Sequence, residues 1–79
     1  MRISVKLLTT YRKKLPEGTK GNTCTLQVPE SYCVSDILAH FEIPNDASSV
    51  ILVNGLSPQG DQALNEGDEV CVYSAMAGG

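Results

Sequence analysis

The sequence predicts a single α+β domain in which a mixed β-sheet of four to five strands packs on one main helix. Three stretches make that prediction. Ile3, Val5 and Leu7 alternate with Ser4 and Lys6, the period of a strand with one buried face. Val34, Ile37, Leu38 and Phe41 stand at i, i+3, i+4 and i+7, the apolar stripe of an amphipathic helix. Val70-Cys71-Val72-Tyr73 is a short apolar run near the end. The 79 residues suffice for one domain with a modest core.

Taken in order, the first strand covers about Arg2 to Thr9. The polar connection Thr10–Asn22 comes next, carrying Pro16, Gly18 and Gly21; Tyr11 and Leu15 are spaced to fold one helical turn back onto the core. Thr23 to Val28 alternates again, with Cys24, Leu26 and Val28 inward, and Pro29 ends it. These two strands form an antiparallel hairpin. The helix spans Val34–Glu42. Its N-cap falls at Cys33, or at Ser31 or Ser35 if it starts elsewhere. Asp36 suits the dipole of the first turn, and Pro44 limits the far end.

Ser49 to Val53 is apolar after its first residue, as expected of a central strand. Asn54-Gly55 is a hairpin-turn signal, with Leu56 opening a short return. Leu64 is placed to tuck into the core. Asn65-Glu66-Gly67-Asp68 reads as a tight turn with Gly67 at positive φ. Glu69 to Tyr73 is the last strand, Val70 and Val72 inward, Cys71 and Tyr73 outward. The order β-β-α-β-(β)-β sets the first and last strands side by side and parallel at the centre of the sheet, the β-grasp arrangement. The domain then covers 1–73, and 74–79 is a flexible tail.

Composition narrows the function. The net charge is −3 and the pI about 4.8, the wrong sign for a nucleic-acid partner or an acidic membrane surface. No apolar run has the length of a transmembrane helix. The start lacks the continuous apolar stretch of a signal peptide, so a cytoplasmic location is expected. Cys24, Cys33 and Cys71 are widely spaced, with a single histidine, His40. That pattern suits neither a metal site nor a disulfide framework. Cys33 at a helix start has the position of a lowered-pKa thiol, although a buried or idle thiol is the simpler reading. Arg12-Lys13-Lys14 reads as a solvated loop. No catalytic constellation is visible, so an enzyme is not expected.

The tail Ser74-Ala75-Met76-Ala77-Gly78-Gly79 has no charged side chain, and Met76 is its one large residue. Two final glycines give a thin backbone ending in a bare carboxylate. Such an end can enter a narrow active site and be modified there.

With that tail, five stretches give the chain a specific likeness: Val5-Lys6-Leu7, Leu26-Gln27-Val28-Pro29-Glu30, Val34-Ser35-Asp36-Ile37-Leu38, Leu52-Val53-Asn54-Gly55, and Leu64-Asn65-Glu66-Gly67-Asp68-Glu69-Val70 running to Ala77-Gly78-Gly79. The chain resembles the sulfur carriers of the ubiquitin-like superfamily, the small subunit of molybdopterin synthase and the sulfur carrier of thiamine biosynthesis. It departs from them at Ser74-Ala75, where prolines or larger apolar residues are frequent, and at Cys33, where the helix cap is often Thr.

The resemblance implies a ubiquitin-like β-grasp fold and a carrier rather than an enzyme. Gly79, preceded by Gly78, would be the reacting residue. A partner adenylating enzyme would use ATP and magnesium, with no cofactor bound to the carrier itself. The acceptor partner would be a large synthase subunit or a thiazole synthase. The length of the Thr10–Asn22 connection favours the molybdopterin or tungsten-cofactor type. A protein modifier joined through Gly79 shares the same activation chemistry. Leu8, Leu52 and Tyr73 on the open face of the sheet, with Met76 and Ala77 on the tail, form the expected partner-binding set. Cys71 lies nearby. Asp61, Glu66, Asp68 and Glu69 would steer a basic partner or form a solvated turn.

Overall fold

The computed structural model describes residues 1–75. Its elements are β1 (Arg2–Leu7), a 3-10 helix (Thr9–Lys14), β2 (Thr23–Gln27), α1 (Val34–His40), β3 (Ser49–Val53) and β4 (Glu69–Ser74). The strands form one four-stranded sheet in the order β2-β1-β4-β3. β1 and β4 run parallel in the middle, and both outer pairs are antiparallel. The sheet is therefore mixed, with the first and last strands at its centre.

Alternation on the two central strands decides which face is covered. Ile3, Val5 and Leu7 of β1 and Val70 and Val72 of β4 are fully buried. They share one core cluster with Val34, Ile37 and Leu38 of α1 and with Phe41 and Ile43 just after it. Burying a side chain of this size stabilises by roughly 1.5–3 kcal/mol, so this layer dominates the fold. Leu64 completes the cluster, held where its N–H donates to the Tyr32 carbonyl at 2.8 Å.

β3 differs from its expected place, since it is an edge strand. Its apolar run has another cause. Ile51 and Val53 pair with Val72 and Val70 and so share their core side. Val50 and Leu52 stand on the opposite side and are half-buried. The strand is apolar on both sides because the open face of the sheet carries apolar side chains of its own.

The fifth strand is reduced to a single bridge between Val53 and Leu56. Asn54 and Gly55 both have positive φ, 52° and 83°, as a two-residue reversal requires. Leu56 is then 72% exposed, and no core face draws the chain onward as a strand. α1 also ends earlier than the sequence suggested, at His40. The Glu42 N–H donates to the Ala39 carbonyl at 3.2 Å and the Ile43 N–H to the Leu38 carbonyl at 2.8 Å. This is a Schellman closure with Glu42 at φ 55° where glycine is usual. It returns Ile43 to the core.

The long connection after β1 folds back as expected. Tyr11 is buried within the 3-10 helix, and its hydroxyl shares a 2.6 Å hydrogen bond with Ser49 Oγ at the start of β3. No helix among the described residues is long and apolar enough to cross a membrane.

Candidate functional site

Parallel pairing makes β1 and β4 finish at the same end of the sheet. The chain leaves β4 there, and three contacts fix the departure. Leu8 N–H donates to the Val72 carbonyl at 3.0 Å. Ser74 N–H donates to Thr9 Oγ1 at 2.9 Å. Ala75 N–H donates to the Ser48 carbonyl at 2.9 Å. Thr9 reaches this position with φ 57°, an uncommon conformation for a β-branched residue. The strand runs through Ser74, one residue past its expected end. Met76, Ala77, Gly78 and Gly79, four of the anticipated site residues, lie outside the described residues.

The start of β4 is held by a different device. Asn54 Nδ2 donates to Asp68 Oδ1 at 3.0 Å, and the Asn65 N–H donates to Asp68 Oδ2 at 2.8 Å. Asn54 Oδ1 accepts from the Glu69 N–H at 2.9 Å, while the Asn54 N–H donates to the Glu69 carbonyl at 2.8 Å. The turn is also sewn to β1: Gly67 N–H donates to the Arg2 carbonyl at 2.8 Å, and Glu66 Oε1 accepts from the Arg2 N–H at 2.9 Å. Gly67 has φ 85°, which permits this docking at no steric cost. Asn54-Gly55 and the Asn65–Glu69 stretch are thus two halves of one lock.

The register brings Leu8, Leu52 and Tyr73 onto the same open face. Cys71 pairs with Lys6 on one side and Leu52 on the other. Tyr73 pairs with Val50. Leu8 is extended at φ −122° and ψ 169° and follows Leu7, the partner of Val72, so it stands level with Tyr73. All these side chains are half-buried. Val50 belongs to the row and was missed; its two-residue spacing from Leu52 carried the signal. Thr9 and Ser48 were also missed, because their roles depend on contacts distant in sequence.

The acidic residues do not gather at this end. Glu66, Asp68 and Glu69 belong to the lock at the other end of β4. Asp61 sits at the start of α1, where its carboxylate accepts from Ser35 N–H at 2.8 Å and Ser35 Oγ at 2.7 Å. The Ser35 hydroxyl, then its backbone N–H, hold this carboxyl below its usual pKa. Asp36 accepts from the Cys33 N–H at 2.7 Å, confirming Cys33 as the N-cap. The Cys33 thiol is pushed up rather than down, by desolvation and then by Asp61 and Asp36. Burial likewise raises Cys24.

Arg12 and Lys13 do lie at the exit. With Thr9, Leu15, Pro16, Thr19 and Gly21 they line a cleft of about 270 Å³, and Thr9 also holds Ser74. Among the described residues no group of three His, Cys, Asp or Glu side chains is placed to hold a metal ion.

No protein-family model and no curated protein matches the sequence. Solved structures do match. The fold is similar to that of SAMP1 from Haloferax volcanii, with a TM-score of 0.75 and 18% identity over 100% of both chains. It is similar to a protein assigned as molybdopterin converting factor subunit 1 from Pyrococcus furiosus, with a TM-score of 0.73 and 22% identity over 95% of this chain and 98% of that one. A ubiquitin-like protein from Caldiarchaeum subterraneum gives 0.57 and 14% over 96% and 97%. At such identities the likeness speaks for the backbone arrangement: the chain has the ubiquitin-like β-grasp fold.

Proposed function

We propose that this chain is a sulfur carrier whose Gly79 carboxylate is adenylated by a partner enzyme and converted to a thiocarboxylate. That sulfur is then donated in the biosynthesis of molybdopterin, the organic part of the molybdenum and tungsten cofactors. One observation carries the reading. The central strand β4 delivers the chain to the rim of a rigid sheet, where Thr9 and Ser48 hold its last described residues. Beyond them the sequence has no charged side chain and ends in Gly78-Gly79. The fold shared with the Pyrococcus furiosus protein supports it.

The chemistry explains the division of labour. A carboxylate is a poor electrophile, because its charge is delocalised over both oxygens. The partner enzyme, using ATP and magnesium, would join the Gly79 carboxylate to the nucleotide α-phosphate and release pyrophosphate. Hydrosulfide, or a donor at the same oxidation level, would then attack the carbonyl and expel AMP. The product is a thiocarboxylate, a good sulfur nucleophile. The carrier contributes no acid, base or metal; it contributes reach and orientation. Glycine at positions 78 and 79 suits a narrow channel in which a Cβ would collide. Leu8, Leu52, Tyr73 and Val50 offer an apolar docking face beside the exit, with Met76 and Ala77 entering the partner. The partners are the adenylating enzyme and then a large synthase subunit.

A ubiquitin-like protein modifier is the second reading, favoured by the fold shared with the Caldiarchaeum subterraneum protein. The activation step is common to both; the acceptor would be a lysine amine.

The test incubates the purified chain with the adenylating enzyme of its source organism, ATP, magnesium and sulfide. The expected intact mass shows one oxygen replaced by sulfur at the terminus. An unchanged mass beside demonstrably active enzyme would overturn the carrier reading. Higher-mass conjugates through Gly79 in cell lysate would favour the modifier.

A further inference from the structure

Charge is distributed unevenly along this domain, and the direction of β4 gives the asymmetry meaning. Four of the six Lys and Arg residues are Arg12, Lys13, Lys14 and Lys20. They fall in the connection between β1 and β2, at the end where the chain leaves β4. Glu17 is the one acidic residue within that stretch; Glu42 and Asp46 stand at the same end, Glu42 beside Lys14 and Asp46 bonded to Ser48, so cations outnumber acids there by four to three. At the other end of β4 stand Glu66, Asp68 and Glu69.

Among the described residues, the hydrogen bonds of the exit cations run to neutral acceptors. Arg12 Nε donates to the amide oxygen of Asn22 at 2.7 Å. Lys14 Nζ donates to the Glu42 carbonyl at 3.2 Å. Neither acceptor is a carboxylate. Arg12, Lys13 and Lys20 are exposed, and Arg12 and Lys13 line the cleft that shares Thr9 with the exit. Lys6 adds a further cation on the open face beside Cys71.

We propose that the exit end of the sheet is a cationic docking face for a protein partner with an acidic rim, with Arg12, Lys13 and Lys20 as its charged contacts. Two features favour a protein over a nucleic acid. The whole chain carries net charge −3, which repels an extended polyanion beyond this small face. An apolar row of Leu8, Val50 and Tyr73 adjoins the cations, and a protein interface combines an apolar centre with a charged rim. The acidic turns at the far end would orient the molecule by repulsion, so that the exit approaches first. This replaces the expectation of a basic partner steered by Asp61, Glu66, Asp68 and Glu69. The inference deepens the sulfur-carrier reading, since the adenylating enzyme would be one such partner.

Two measurements test it. In the first, a glutamate-rich decapeptide is titrated into the 15N-labelled chain at low salt. Amides of Thr9–Gly21 should shift together, those of Glu66–Glu69 should not, and about half-molar salt should abolish the shifts. Absence of shifts at 9–21 would overturn the proposal. So would tighter binding there by a single-stranded oligonucleotide of equal charge, which would assign the face to nucleic acid.

The second measures the association rate with the adenylating enzyme for Lys13→Glu and Arg12→Glu, against Arg2→Glu, the same charge change at the opposite end. Each exit variant should slow association about tenfold at low salt, with the difference closing at high salt. Equal effects at both ends, or none at the exit, would overturn the proposal while leaving the carrier reading intact. Should the wild-type chain not be adenylated while the peptide maps to 9–21, the carrier reading fails and the docking face stands. Circular dichroism of each variant checks that the fold is retained.

Discussion

The two ends of β4 are fixed by different means. At its start, Asp68 and Asn54 answer each other through paired side-chain and backbone hydrogen bonds, and the Asn65–Asp68 turn is bonded to β1. At its finish, the Ser74 N–H donates to Thr9 Oγ1 and the Ala75 N–H to the Ser48 carbonyl, beside the pairing of Ser74 with Ser49. One end is a lock with few exchangeable parts. The other is a guide, which sets the direction in which the chain leaves the sheet. Rigidity and presentation are thus assigned to opposite ends of one strand of six residues.

Perturbing each end separately should sharpen that contrast. Substituting Gly79→Val is expected to have the largest functional effect, lowering thiocarboxylate formation by about a hundredfold or more with an unchanged thermal midpoint. Normal product on this variant would remove the terminal glycine from the proposed chemistry. Asp68→Ala strikes the lock. It strips partners from the Asn54 amide and the Asn65 N–H, and should cost about 1–3 kcal/mol in urea unfolding, with activation of the remaining folded chain preserved.

Thr9→Ala strikes the guide. A stability loss of about 0.5–1.5 kcal/mol is expected, together with slower activation, and Thr9→Ser should restore both by returning the hydroxyl. If Thr9→Ala slows nothing, the guide has no part in presentation.

The smallest effect concerns acid. Asp61 is held below its ordinary pKa by Ser35, and Asp46 by the hydroxyl and then the N–H of Ser48. A carboxyl with a depressed folded pKa contributes stability above its unfolded pKa and loses it as pH falls through the folded value. Stability should therefore decline below about pH 4. Asp61→Ala should flatten part of that decline in urea melts. An unaltered pH profile would dissociate Asp61 from acid sensitivity.

The fold was largely legible because local pattern and global arrangement agree. Period two in β1 and β4 and period 3.6 in α1 fixed the inward residues, and Gly67 marked its turn. What escaped notice has physical causes. Ser49 to Val53 has the composition of a buried central strand, and nothing local distinguishes that from an edge strand with an apolar open face. The Schellman closure at Glu42 lacks the usual glycine. Thr9 and Ser48 are ordinary polar residues whose partners, Ser74 and Ala75, are distant in the chain. The open-face set was found except for Val50. Glu66, Asp68 and Glu69 do lie beside the last strand, at its start rather than at the exit.

The placement of β4 also bears on how the molecule is made. The strand that joins the two halves of the sheet is the last to be formed along the chain, and Ser74 must find Thr9 across 65 positions. Closing so large a loop is costly before its contacts compensate, which slows folding relative to proteins built from local contacts. The hairpin of β1 and β2 and the helix α1 can form early, but their buried face stays uncovered until Glu69–Ser74 inserts between β1 and β3. A chain cut short before that strand should remain unfolded and prone to aggregation. The topology thus makes the native state depend on a segment that lies within the last eleven residues of the chain.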